Sequence, residues 1–236
     1  MRLHHLARAI LTPVLLGQAF FVRRRVRRLP EAAGAREGRV GLGPPLRLLI
    51  LGDSSGAGVG AATQDEALLG QVVSRLAESH AVEFRLIAVP GARTADAYGW
   101  LQDVTETYDV AITALGVNDV TKLTPLHAFL EGQEALWQRL RSQHHVRRII
   151  VSGIAPIGRF PVLPQPLRWV IGARADDFAQ ALSDLTARFE DVVLVNMGTD
   201  LLMEEMASDG FHPGPAIYDK WAEALVSRGL AARFTA

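Results

Sequence analysis

Five short apolar runs punctuate the chain: LRLLILG (46–52), VEFRLIAV (82–89), DVAITAL (109–115), RRIIVSG (147–153) and DVVLVNM (191–197). Runs of this length, bounded by turn-forming residues, predict strands. Between them, apolar positions recur at helical spacing over 65–79, 94–104, 125–144, 167–189 and 216–230. Strand and helix in alternation imply a parallel sheet covered on both faces, the α/β class. The stretch APIGRFPVLPQPLRW (155–169) has four prolines among its apolar residues, which predicts an irregular loop after the fourth strand. Residues 29–45, rich in Gly, Ala and Pro, predict a connector. The expected division is a leader and linker over 1–45 and one folded domain over 46–236. No internal repeat interrupts it.

The leader breaks the alternating pattern. Residues 9–22 (AILTPVLLGQAFFV) are uncharged, with Arg2 and Arg8 before them and RRRVRR after. Fourteen residues are few for a bilayer span, which needs about 20. A cleaved export signal would end in small residues, but here Arg23, Arg24 and Arg25 follow. Cleaved secretion is therefore disfavoured though still open, and a cytoplasmic location is expected. Two further readings stay open for this segment. It could lie on an anionic membrane surface, at the inner face, with Leu15, Phe20 and Phe21 buried in lipid. It could equally be a helix packed on the domain or on another subunit.

Charge and composition then narrow the chemistry. Seven of the 25 Lys and Arg residues fall within the first 28 positions, where there is no acid, leaving 18 basic against 25 acidic residues beyond. That mildly acidic body argues against nucleic-acid binding. The absence of cysteine removes disulfides, thiolate catalysis and Cys-ligated metals. Nothing in the pattern calls for a metal or an organic cofactor.

Ligands of open parallel sheets gather at the carboxyl ends of the strands, so the residues that end each strand matter most. The first ends in Gly52-Asp53-Ser54-Ser55, the second in Pro90-Gly91-Ala92-Arg93, the third in Gly116-Val117-Asn118-Asp119. A serine nucleophile needs a base that titrates near neutral pH. Of seven histidines only His212 sits in a Gly/Pro-bounded loop with a carboxylate close by, in Ser208-Asp209-Gly210-Phe211-His212-Pro213-Gly214. Asp209 can accept from the imidazole Nδ1–H, which leaves Nε2 free to take a hydroxyl proton. The Ser54 amide, the Gly91 amide and the Asn118 side chain are candidate donors to a developing oxyanion. Singly, each has an ordinary explanation: Asp209 as a cap of backbone amides, Gly91 as a turn glycine, Ser55, Asn118 and Asp119 as caps or Asx turns. At successive loop positions in this order, they read together as an acyl-transfer site.

These blocks resemble the SGNH or GDSL-type hydrolases of esters and lipids, over residues 46 to 230. The resemblance implies Ser54 as nucleophile, Asp209 and His212 as its triad partners, and Ser54, Gly91 and Asn118 as the oxyanion hole. It also implies a flavodoxin-like three-layer α/β/α sandwich of five parallel strands in the order 2-1-3-4-5. Ser55 stands where the GDSL signature has leucine, so a packing or pocket role is expected for it. The expected activity is hydrolysis of carboxylic esters of short to medium acyl chains through an acyl-enzyme, on a small ester or lipid substrate. A lysophospholipase or thioesterase, a sugar O-acetyl esterase, and a binding module without chemistry are the alternatives. For the acyl or alcohol pocket the candidates are Ser55 and, from the proline-rich loop, Ile157, Phe160, Leu163 and Trp169. That loop packed onto the last helices is the other reading. The sequence leaves the oligomeric state undetermined.

Overall fold

Leu48 to Leu51 are fully buried, and alternate side chains enter different cores: Leu49 and Leu51 on one face of a sheet, Leu48 and Ile50 on the other. A strand buried on both faces must be apolar throughout rather than alternating, which is why the run reads as continuous. The computed structural model describes residues 3–25, 29–196 and 203–230. In chain order its elements are α1 (Leu3–Arg25), β1 (Glu37–Val40), β2 (Pro45–Gly52), α2 (Leu68–Ala77), β3 (Ala81–Ala88), α3 (Thr94–Trp100), β4 (Val110–Ala114), α4 (Val117–Thr121), α5 (Leu126–His144), β5 (Arg148–Ser152), α6 (Leu167–Thr186), β6 (Val192–Val195) and α7 (Pro215–Gly229). Short 3-10 turns occupy Leu101–Asp103, Ile157–Arg159 and Met203–Glu205.

The sheet runs β1-β3-β2-β4-β5-β6, with the last five mutually parallel. These are the five expected strands in the expected relative order, but the sheet is six-stranded and mixed rather than five-stranded and parallel, because β1 adds an antiparallel edge strand. α3, α5 and α6 cover one face through Ala97, Leu136, Trp137 and Phe178. α2 and α7 cover the other through Val72, Leu76, Trp221 and Leu225.

Three expectations need correction. The connector is built into the domain: β1 pairs antiparallel with β3, and Ala32 is buried beneath the Gln64 amide, which donates to the Ala32 and Ala57 carbonyls. All four residues of β1 are exposed, so a hydrophobic pattern cannot reveal it; its register instead sets Glu37 opposite Arg85 and Arg39 opposite Glu83, favourable cross-strand charge pairs. The helix expected from residue 65 starts at Leu68, because the Gln64 carbonyl accepts from the Ala67 and Gly70 amides and holds a turn there. The fifth strand is shorter than expected, and Met197 lies outside the described residues.

The leader is one helix, α1, docked on α6. Leu15 and Val22 pack against the core on that face, so Leu15 does not point away from the domain as the membrane-surface reading expected. The Gln18 side chain receives the Leu167 amide at 3.0 Å and donates to the Gln165 carbonyl at 2.6 Å, satisfying backbone groups at the start of α6. Among the described residues no helix is long and apolar enough to cross a membrane.

Candidate active site

Gly52 ends β2 and the chain folds back on itself at once, as a tight turn: the Ala57 amide donates to the Asp53 carbonyl and the Val59 amide to the Ser54 carbonyl. A Cβ on Gly52 would lie 2.7 Å from the Gly56 Cα, so the turn can close this tightly only between two glycines. The buried Tyr218 of α7 braces it, its hydroxyl donating to the Val59 carbonyl at 2.7 Å with the Ser55 carbonyl sharing that hydrogen at 3.1 Å. The turn thereby presents Ser54 at the carboxyl edge of the sheet.

There, Ser54 Oγ lies 2.9 Å from His212 Nε2, and His212 Nδ1 lies 2.6 Å from Asp209 Oδ2. The three side chains span 158 residues of sequence yet form one continuous relay. Asp209 fulfils both roles open to it in the sequence. Its Oδ1 accepts the Phe211 and His212 amides at 2.9 and 3.0 Å, as a turn cap does, while Oδ2 faces the imidazole. Burial would raise this carboxyl, but the hydrogen bonds from the His212 ring and the two amides outweigh it and hold the group below its ordinary range. Asp209 therefore stays anionic at neutral pH, and the Nδ1–H tautomer of His212 follows, with Nε2 left as the acceptor. Phe211 packs edge-on against the imidazole on one side and against Phe160 on the other.

The neighbouring strand ends are stitched to the Ser54 turn. The Val89 amide donates to the Gly52 carbonyl, and the Asp53 amide to the Ala114 carbonyl. Asn118, in the short helix α4 that the pattern did not predict, donates its Nδ2–H to Asp53 Oδ2 at 2.9 Å. An amide nitrogen carries two hydrogens, so this bond fixes which end of the Asn118 side chain faces the cleft and leaves one N–H for a ligand. Asp119 caps a helix, though not its own: it accepts the Thr94 amide and hydroxyl at 2.9 and 3.0 Å, tying α4 to the start of α3. Gly91 lies between them in the turn after β3, at φ +83°, a conformation suited to glycine, with its carbonyl held by the Lys122 ammonium.

Asp53 is not among the residues that the sequence singles out for the site. It is buried, and its carboxyl accepts the Ser55 amide at 2.9 Å as well as Asn118. Burial raises its pKa from 3.8 to about 6, against the opposing pull of the Ser55 amide, nearby His212, Asn118 and the Gly56 amide. No motif separates such a residue from a turn aspartate, because its significance lies in an acceptor contact 65 residues away.

Beside Ser54 opens a cavity of about 60 Å³. Of the pocket candidates, Ser55 and Phe160 line it, together with Asn118. Ile157 and Leu163 do not: they are buried in the same apolar cluster as Phe160 but do not reach the cavity, and Trp169 stands half-exposed on the first turn of α6. Other apolar parts of the wall come from Leu115 and Val117 after β4 and from Met206, Phe211, Ile217 and Trp221. Ile217 and Trp221 share a face of α7 at a spacing of four, so the sequence marked them as core without marking what the core encloses.

Residues 50–220 match the family model described as the GDSL-like Lipase/Acylhydrolase family. A GDSL-like esterase of Mycobacterium tuberculosis is 28% identical over 193 residues, covering 76% of this chain and 60% of that protein, so the chain spans well under two thirds of its relative's length. Among solved structures, a lipase from a goat rumen metagenome superposes with a TM-score of 0.64 at 16% identity, covering 78% of this chain and 97% of that one. The psychrotrophic esterase EstA of a Pseudoalteromonas species gives 0.60 at 17% identity, covering 77% and 95%. At these identities the structures establish a shared fold, while the family match spans most of the chain and includes Ser54, Gly91, Asn118, Asp209 and His212. The chain belongs to the GDSL-like lipase/acylhydrolase family.

Proposed function

We propose that the chain is a serine esterase that hydrolyses carboxylic esters of short acyl chains through an acyl-enzyme intermediate. The observation that carries this reading is the Ser54–His212–Asp209 relay, at 2.9 and 2.6 Å. Ser54 Oγ attacks the ester carbonyl as His212 Nε2 takes its proton, and the Asp209 carboxylate stabilises the imidazolium. Negative charge builds on the former carbonyl oxygen. The second Nδ2–H of Asn118 and the backbone amides of Ser54 and Gly91 are its proposed donors. His212 then protonates the departing alkoxide. Water, activated by the same histidine, attacks the acyl-serine carbonyl; the tetrahedral intermediate collapses, releasing the carboxylic acid and returning the proton to Ser54.

The size of the cavity supports short acyl groups, since about 60 Å³ of apolar space beside the nucleophile limits what can be enclosed. Acetyl groups fit the same space, so acetylated sugars belong in the substrate panel with simple esters. A lysophospholipase or thioesterase would use the same residues on longer chains. Acetyl, butyryl, hexanoyl and dodecanoyl esters, with the matching thioesters, separate these readings: turnover should be highest for the first two. Ser54→Ala should abolish turnover of every ester while leaving the melting temperature unchanged. Hydrolysis by that variant at the wild-type rate would overturn the assignment.

A further inference from the structure

The α1 helix is apolar on two opposite sides, and only one of them is used by the fold. Between residues 11 and 24, Leu11, Leu15, Gln18 and Val22 are half-buried. Their spacing of four, three and four places them on one stripe of a 3.6-residue helix. That stripe is the docked one: Leu15 and Val22 meet the core and Gln18 caps the start of α6. Leu16 and Phe20, four residues apart, fall on the opposite side and are 66% and 59% exposed. Arg24, one turn further on, is exposed on the same side, and its guanidinium lies 4.5 Å from the centre of the Phe20 ring. A helix that met only water on this side would gain nothing from leucine and phenylalanine there.

We propose that this outer side of α1 is a docking surface for an anionic lipid bilayer, with Leu16 and Phe20 entering the acyl boundary and arginines meeting the headgroups. Charge selects this occupant. The first 28 residues carry seven Arg and no acid, whereas the rest of the chain is net acidic. A second copy of the chain would set basic segment against basic segment if α1 paired with itself. An anionic membrane offers a partner for both the apolar stripe and the cations. The helix lies in the interface plane, since it is not apolar enough to span. On the inner stripe, the Gln18 bonds to the Gln165 carbonyl and the Leu167 amide tie α1 to the start of α6.

The test is co-sedimentation of the full chain with vesicles of phosphatidylglycerol and phosphatidylcholine, and with vesicles of phosphatidylcholine alone. Binding is read without turnover, so its outcome is separate from that of the esterase proposal. The wild-type chain should partition onto the anionic vesicles, less onto the neutral ones, and progressively less as salt is raised. The double variant Leu16→Gln/Phe20→Gln should lower the partition coefficient by about tenfold or more, because the apolar area it removes drives insertion. Arg24→Gln should lower it several-fold on anionic vesicles alone. The double variant should keep the wild-type melting temperature, because neither side chain packs on the domain. A wild-type chain that stays in the supernatant, or a double variant that binds equally well, overturns the proposal. So does a wild-type dimer by light scattering that the double variant converts to monomer with no vesicle binding by either.

Discussion

Replacing Asp53 by asparagine should make the protein more stable and less active at once. The carboxyl is buried and its pKa raised to about 6 from 3.8. The folded chain therefore holds this proton at a pH where the unfolded chain has released it. The stabilisation this gives is complete below about pH 3.8, falls as pH rises toward 6, and is gone above it. At 1.36 kcal/mol for each tenfold change in proton affinity, the difference is on the order of 3 kcal/mol. The neutral amide of Asp53→Asn avoids that cost above pH 7 but exchanges two charge-assisted hydrogen bonds, to the Ser55 amide and Asn118, for weaker neutral ones, a loss of about 1 kcal/mol each. The net expectation is a gain of roughly 1 kcal/mol at pH 8, or about 2–4 °C for a domain of this size. The pH dependence of stability between 4 and 6 should weaken as well.

Activity should move the other way. The substituted side chain keeps its oxygen on the Ser55 amide and turns its NH₂ toward Asn118, which must then rotate to accept. That swings the Asn118 oxygen, rather than its N–H, toward the developing oxyanion. Losing one such donor lowers kcat by about 10²–10³. In an Asn118→Ala background the same Asp53→Asn change should cost almost nothing further, because the group it positions is already gone. Thermal denaturation from pH 4 to 8 and steady-state kinetics on a butyryl ester read both effects. A variant with wild-type kcat would refute the orienting role, and an unchanged pH dependence of stability would refute the raised carboxyl.

Other consequences follow from the same geometry. Asp209→Asn removes the acceptor that fixes the His212 tautomer and should lower kcat by about 10⁴ at neutral pH, with binding of a non-hydrolysable analogue little changed. Ile217→Ala enlarges the apolar cavity: the ratio of kcat/KM for hexanoyl over acetyl esters should rise, while chemical denaturation should reveal a loss of about 2–5 kcal/mol. An unchanged chain-length ratio in Ile217→Ala would show that the acyl group is held elsewhere.

Much of this was legible in the sequence, for physical reasons that also explain what was not. The parallel strands are buried on both faces, so their apolar runs announce themselves. β1 reads EGRV, lies on the rim, and is held by an antiparallel backbone ladder to β3, distant enough in the chain that no local pattern encodes it. Ser54 follows the end of β2 and Asp209 and His212 share the loop before α7, all in short turn sequences whose chemistry is local enough to read. What those turns enclose is not local. The apolar residues of the proline-rich loop meet different fates: Ile157 and Leu163 lie wholly in the core, Phe160 belongs to that core and also lines the cavity, and Trp169 stands at the surface. The Asp53–Asn118 contact joins two motifs read separately, and it exists only once β2 and β4 lie side by side. In the leader, sequence marked an apolar basic helix, but only packing divides Leu15 from Leu16.

The central claim is that Ser54 is the nucleophile, activated by His212. Reaction with a fluorophosphonate probe, followed by proteolysis and mass mapping of the labelled peptide, tests it most directly. The account predicts stoichiometric modification at Ser54, with Ser55 in the same peptide unmodified, and labelling lost in His212→Ala. Modification at Ser55 or elsewhere, or none at all in the folded protein, would contradict it.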